Sequence, residues 1–132
     1  MAKVVTLSEA SSLAVHAVVL IAGSDKLVNV NQIATATASS KNHLAKVMQR
    51  LVKTNLLSST RGPAGGFILK RPASEITLYD IYYAIEGPIE LQVCPLDRPI
   101  CPFEKCIMGG IIHKLTNDFK KYLMESKVSS FI

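Results

Sequence analysis

Residues 40–71 read SKNHLAKVMQRLVKTNLLSSTRGPAGGFILKR, and this stretch decides the fold. Leu44, Val47, Met48, Leu51 and Val52 recur at i, i+3, i+4, i+7 and i+8, the spacing of one apolar stripe along an α-helix. The opposite face carries Lys41, Asn42, His43, Lys46, Gln49, Arg50 and Lys53, a set of cations and amides with no carboxylate among them. Such groups suit phosphate oxygens and base edges, whereas a helix that merely faces water mixes Glu with Lys. Asn55 reads as the stop. Beyond it, residues 56–60 and 67–70 flank Arg61-Gly62-Pro63-Ala64-Gly65-Gly66, which predicts a β-hairpin with cations at its tip (Arg61) and base (Lys70, Arg71).

Working outward toward the N-terminus, Ser8 is placed to cap a first helix. Its apolar positions, Leu13, Val15, Ala17, Val18, Leu20 and Ile21, lie nearly all round it, so it should be largely buried before ending at Gly23. Asn31 reads as the start of a short second helix carrying Ile33, and Ser39-Ser40 separates it from the third. Two helices meeting at a tight turn, followed by a basic hairpin, make a winged helix-turn-helix. Downstream, Thr77-Leu78-Tyr79-Asp80 has the form of a capping box, with Asp where Glu or Gln is usual, for a helix that stops at Gly87-Pro88. A last helix, from about Met108 to Lys127, carries Ile111, Ile112, Leu115, Phe119, Tyr122 and Leu123 at helical spacing. The fold expected is mainly α with a small β-hairpin: a winged helix-turn-helix over 1–87, a cysteine-rich loop over 88–107, and a dimerisation helix with its tail over 108–132. The apolar stripe of the last helix predicts a homodimer, since two recognition helices must reach successive major-groove faces. The alternative is a stripe that completes the core of a monomer.

The 132 residues allow one domain or one domain with an appendage. The net charge of +5 is unevenly spread, for Lys26 to Ser74 holds eight basic residues and no acid, while the remainder is −3. A cationic block of this kind points to a polyanion, and nucleic acid is the polyanion that a helix-turn-helix fits. The apolar run from Leu13 to Ala22 spans ten residues and contains His16, too short for a membrane span. The Met1-Ala2-Lys3 start lacks a full signal-peptide pattern, so the cytoplasm is expected. No paired nucleophile and base, and no phosphate-cradling loop, can be assigned, which argues against an enzyme.

Cys94, Cys101 and Cys106 fall within thirteen residues in a proline-bearing loop. Three thiolates in a short loop suit an iron–sulfur cluster or, with a further ligand, zinc; they also suit a thiol switch. Among the histidines, His43 belongs to the polar face of the third helix, facing DNA or solvent. His113 follows Cys106 by two helical turns, and His16 is either a buried, hydrogen-bonded histidine or a ligand.

Residues 40–47 (SKNHLAKV), 61–67 (RGPAGGF), 71–73 (RPA) and 76–80 (ITLYD), with the three cysteines behind them, resemble the Rrf2 family of winged helix-turn-helix bacterial regulators, which includes IscR and NsrR. The resemblance covers nearly the whole chain. It implies a dimeric transcriptional regulator, often a repressor, with a cluster (2Fe-2S or 4Fe-4S) held by Cys94, Cys101 and Cys106 near the dimer interface. IscR-like members space their cysteines evenly, whereas six and then four residues separate them here. Gly109 stands where those proteins place a histidine, and Ala10 lies near the position of the acidic ligand of NsrR-like proteins. A third subgroup uses a first-helix histidine that aligns with His16, the fourth ligand the resemblance implies; Glu9, Asp97 and Glu104 are the carboxylate alternatives.

Together these readings predict a sequence-specific DNA-binding regulator acting on a palindromic double-stranded operator. Lys41, Asn42, His43, Lys46, Gln49 and Arg50 would supply its recognition helix, and Arg61 and Gly62 its wing. Its signal would be redox state, nitric oxide or iron, read through the cluster. The alternative is a cluster-free regulator controlled by cysteine oxidation, a metabolite or a partner protein.

Overall fold

Three of the helices open on a side chain that satisfies their free amides. The computed structural model describes residues 2–3, 5–91 and 102–132. Helix α1 (Glu9–Ala22) begins at Ser8, whose Oγ accepts from the Ser11 amide at 3.1 Å. Helix α2 (Val30–Thr37) opens on a complete capping box, Asn29 Oδ1 accepting from the Gln32 amide and Gln32 Oε1 from the Asn29 amide, both at 2.8 Å. The helix therefore begins one residue before Asn31, the expected start. Helix α4 (Leu78–Glu86) opens on the expected Thr77–Asp80 box, at 3.1 and 3.0 Å.

Helix α3 (Lys41–Lys53) buries Leu44, Val47, Met48 and Leu51, the stripe read from the sequence, and Val52 is half-buried beside them. Thr54 caps its end, and Asn55 follows in the left-handed region at φ 65°. The stripe packs on Ala14, Ala17, Val18 and Ile21 of α1 and on Ile33, Ile76 and Ile81. Each fully buried Leu or Ile in such a core contributes about 1.5–3 kcal/mol relative to exposure. Helix α1 is largely buried as expected, except that His16 and Leu20 face outward.

Strands β1 (Leu57–Thr60) and β2 (Gly66–Leu69) pair antiparallel, with Leu57 opposite Leu69 and Thr60 opposite Gly66. Val28 adds a third edge, exchanging two backbone hydrogen bonds with Phe67 at 2.8 and 3.2 Å. That approach needs Gly66, because a Cβ there would stand 2.8 Å from the Val28 carbonyl oxygen.

The last helix, α5 (Ile111–Glu125), is shorter at both ends than its periodicity suggests. Gly109 and Gly110 have φ values of 63° and 74°, which no right-handed helix accommodates, so it starts at Ile111. Its far end is pulled into extended geometry by tertiary pairing, Leu78 donating to the Ser126 carbonyl and Val128 to that of Ile76, each at 2.9 Å. Val128 is thereby fully buried. Helix α5 lies along α4, with the Tyr82 and Phe119 rings edge to face at 5.8 Å. No helix among the described residues is long and apolar enough to cross a membrane.

Candidate nucleic-acid interface and sulfur site

The turn between α2 and α3 places the polar face of α3 outward. Lys41, Asn42, Lys46, Gln49, Arg50 and Lys53 are all exposed on it. Helix α3 differs from the other helices of the winged domain in that its N-cap, Ser40, makes no side-chain bond to the first turn, leaving amide donors open there beside Lys41. Arg61, Gly62, Pro63 and Ala64 form an exposed wing tip. Among the described residues, the cations Lys41, Lys46, Lys53 and Arg61 have no carboxylate partner.

Two arginines read from the sequence as part of this basic region are engaged elsewhere, and one histidine is partly buried. Arg50 donates through Nη1 to the Ile85 carbonyl at 2.9 Å, at the last turn of α4. Arg71 does not serve as a free cation at the base of the wing, since its Nη2 donates to the Glu75 carbonyl at 2.6 Å and lies 3.4 Å from the Asp80 carboxylate. His43 is half-buried, and its Nε2 is buried with no hydrogen-bond partner among the described residues, so that edge of the ring is turned away from solvent. The two arginines share a cause: helical periodicity tells which face a residue occupies, but long side chains at the edge of that face bend toward acceptors on other elements.

The turn itself was not legible as a functional feature. Ala38 ends α2 at φ 51°, ψ 44°, a left-handed conformation that a glycine would have signalled in the sequence.

Of the four candidate ligands, Cys94 and Cys101 lie outside the described residues, as do half the positions of the loop. Cys106 is exposed, and backbone amides of Gly110, Met108 and Gly109, in which Gly110 contributes most, draw its thiol below the ordinary cysteine range. Gly109 and Gly110, at φ 63° and 74°, belong to the turn that supplies these amides. His16 is exposed rather than buried, and its Nδ1 stands 2.7 Å from the Ser12 carbonyl. A carbonyl only accepts, so Nδ1 is the donor in this contact, and in a neutral ring the lone pair available to a metal would lie on Nε2. A thiol biased toward thiolate and a pre-set imidazole fit the donor chemistry of a metal or cluster site. Among the described residues, no three metal-binding side chains are gathered in one place.

A protein-family model, Rrf2, described as an iron-dependent transcriptional regulator, matches residues 7–132. The chain belongs to the Rrf2 family. A relative from Rhizobium meliloti (strain 1021), protein aau3, is 30% identical over 115 residues, covering 84% of this chain and 73% of its own. Among solved structures, CymR of B. subtilis, described as its global cysteine regulator, superposes with a TM-score of 0.77 at 20% identity, over 95% of this chain and 94% of its own. The T. potens IscR structure gives 0.74 at 22% identity, over 96% and 85%. This Rrf2-family chain is thus a helix-turn-helix transcriptional regulator in class, with a mostly helical winged fold and a two-stranded hairpin.

Proposed function

We propose that the chain is a sequence-specific DNA-binding regulator, a cytoplasmic repressor with no enzymatic activity. It acts as a homodimer on a palindromic operator and responds to redox state, nitric oxide or iron through an iron–sulfur cluster, 2Fe-2S or 4Fe-4S. The observation that carries the DNA reading is the exposed face of α3, with Lys41 and Lys46 free of carboxylate partners among the described residues and Asn42 and Gln49 beside them, next to an exposed Arg61 wing in a block without carboxylates. Residues 1–87 bind DNA in this reading, with α3 in the major groove and Arg61 and Gly62 on phosphate or in the minor groove. His43 enters that interface only through the part of its side chain left outside the core.

The dimer reading is supported by apolar surface on α5. Ile111, Leu115 and Tyr122 are exposed there, and Val5 and Leu7 are exposed on the segment that precedes α1. A groove of about 300 Å³ lined by Val5, Tyr82, Ile89, Ile112, Leu115 and Phe119 runs beside them. Uncovered apolar surface of this extent on a small chain is best matched by a second copy.

For the cluster, Cys94, Cys101 and Cys106 would supply thiolates and His16 the fourth ligand, from residues 88–107 and α1. A bound cluster would supply a group that reacts with oxidants and nitric oxide. The chain itself contributes the Cys106 thiol, lowered by backbone amides, and a His16 ring oriented by the Ser12 carbonyl. Strictly anaerobic purification, with a visible spectrum and iron and sulfide assays on one sample, tests this. Broad visible absorbance with iron and sulfide in stoichiometric amounts is expected. A colourless protein, even after reconstitution, would overturn it.

The second reading is a cluster-free regulator. It is favoured by the likeness to CymR, described as a cysteine regulator, and by the same lowered thiol at Cys106, which equally suits oxidation to a disulfide. Mass spectrometry after peroxide treatment of colourless protein would then find a disulfide among Cys94, Cys101 and Cys106.

A further inference from the structure

The last turn of α4 is held from two sides. On one side, Arg50 at the C-terminal end of α3 donates to the Ile85 carbonyl at 2.9 Å, across 35 positions of sequence. On the other, the Glu86 carboxylate accepts from Ser8 Oγ at 2.5 Å and from Ser11 Oγ at 3.1 Å, and Ser11 is fully buried in α1. The chain then leaves α4 at Gly87 and folds back along it, the Ile89 amide donating to the Tyr79 hydroxyl at 3.3 Å, before entering the segment that carries Cys94 and Cys101. One helix terminus thus joins α1, the DNA-facing helix and the approach to the cysteine loop.

A helix C-terminus leaves carbonyl oxygens unsatisfied and carries partial negative charge, so a guanidinium there gains both a charge-assisted hydrogen bond and a favourable dipole contact. With Nη1 committed to this carbonyl, the fork of the Arg50 guanidinium is held at the last turn of α4. From this geometry we infer that Arg50 is a positioning residue: it fixes the pose of α3 against α4 and ties that pose to the chain entering the cysteine loop, instead of contacting DNA. The inference rests on α3 being the DNA-facing helix.

Phosphate contacts set the salt dependence of binding, each worth about 0.9 in the slope of log affinity against log salt, whereas pose sets discrimination between sequences. The test measures wild type, Arg50→Ala and Lys46→Ala across a salt series. It uses a duplex selected by the wild-type protein from a random-sequence library, and a mixed-sequence duplex. For Arg50→Ala the expected result is a roughly tenfold loss on the selected duplex, an unchanged slope and unchanged affinity on mixed sequence. Amide exchange in the free protein should quicken together in α3 and in the last turn of α4, which loss of a DNA contact alone would not do.

A slope shallower by about one unit per chain on both duplexes would overturn the inference and make Arg50 a phosphate contact. Unchanged binding and exchange would also overturn it. If Arg50→Ala is too unstable to measure, Arg50→Lys keeps the charge. A phosphate contact would then be largely retained, whereas a positioning role predicts that part of the loss on the selected duplex recurs with the slope intact. Failure of the DNA-facing reading itself is distinct, because Lys46→Ala would then leave both duplexes bound as by wild type.

Discussion

At the scale of single residues, backbone angle and local amides decide more than side-chain type. Ala38 sits at φ 51° in the turn between α2 and α3, where a Cβ is penalised by about 1–2 kcal/mol and glycine is not. Ala38→Gly should therefore stabilise the fold by about 0.5–1 kcal/mol, read as a rise in the denaturant midpoint with unchanged slope; a drop would mean the turn is not left-handed in solution. Cys106 is governed in the same way, its thiol lowered by the amides of Gly110, Met108 and Gly109 rather than by a cation. A lowered thiol pKa keeps the thiolate populated to lower pH. With Cys94→Ser and Cys101→Ser leaving Cys106 as the one thiol, the rate of alkylation by iodoacetamide should rise with a midpoint below that of glutathione measured alongside. A midpoint at or above glutathione would mean the amides do not reach the sulfur.

At the scale of elements, the wing depends on a contact far away in sequence. Gly66 lets β2 come against Val28, and a methyl group there meets the Val28 backbone. Gly66→Ala should cost about 1–3 kcal/mol on unfolding and weaken DNA binding by loosening the hairpin, measured by denaturation and by titration of duplex. At the tip of the wing, Arg61 is exposed and has no carboxylate partner among the described residues. Arg61→Ala should lower affinity for all sequences and make the salt slope shallower by about one per chain. An unchanged slope would remove Arg61 from the interface.

At the scale of the whole molecule, the exposed apolar face of α5 is the surface on which the proposed dimer depends. Light scattering at micromolar concentration should give twice the 14.3 kDa chain mass. Leu115→Asp, placing a carboxylate in that face, should give a monomer whose operator affinity falls about a hundredfold, because two linked recognition helices bind far more tightly than one. A wild-type monomer would sink the dimer and leave this surface without a role.

The winged helix-turn-helix was legible because its signals are local. The stripe of Leu44, Val47, Met48 and Leu51 depends only on the 3.6-residue repeat, the Thr77–Asp80 box only on a three-residue spacing, and the hairpin only on glycines between two short apolar runs. The cationic face of α3 was legible for the same reason. What only tertiary structure decided were the partners of long or rotatable side chains: Arg50 on Ile85, Arg71 on Asp80, Glu86 on Ser8 and Ser11, and the buried edge of His43. It also decided where α5 ends, since pairing of the tail with residues 76–78 overrides helical spacing. Periodicity is a property of one element and can be read along the chain, whereas a hydrogen bond across 35 or 78 positions exists only once packing has brought the two ends together.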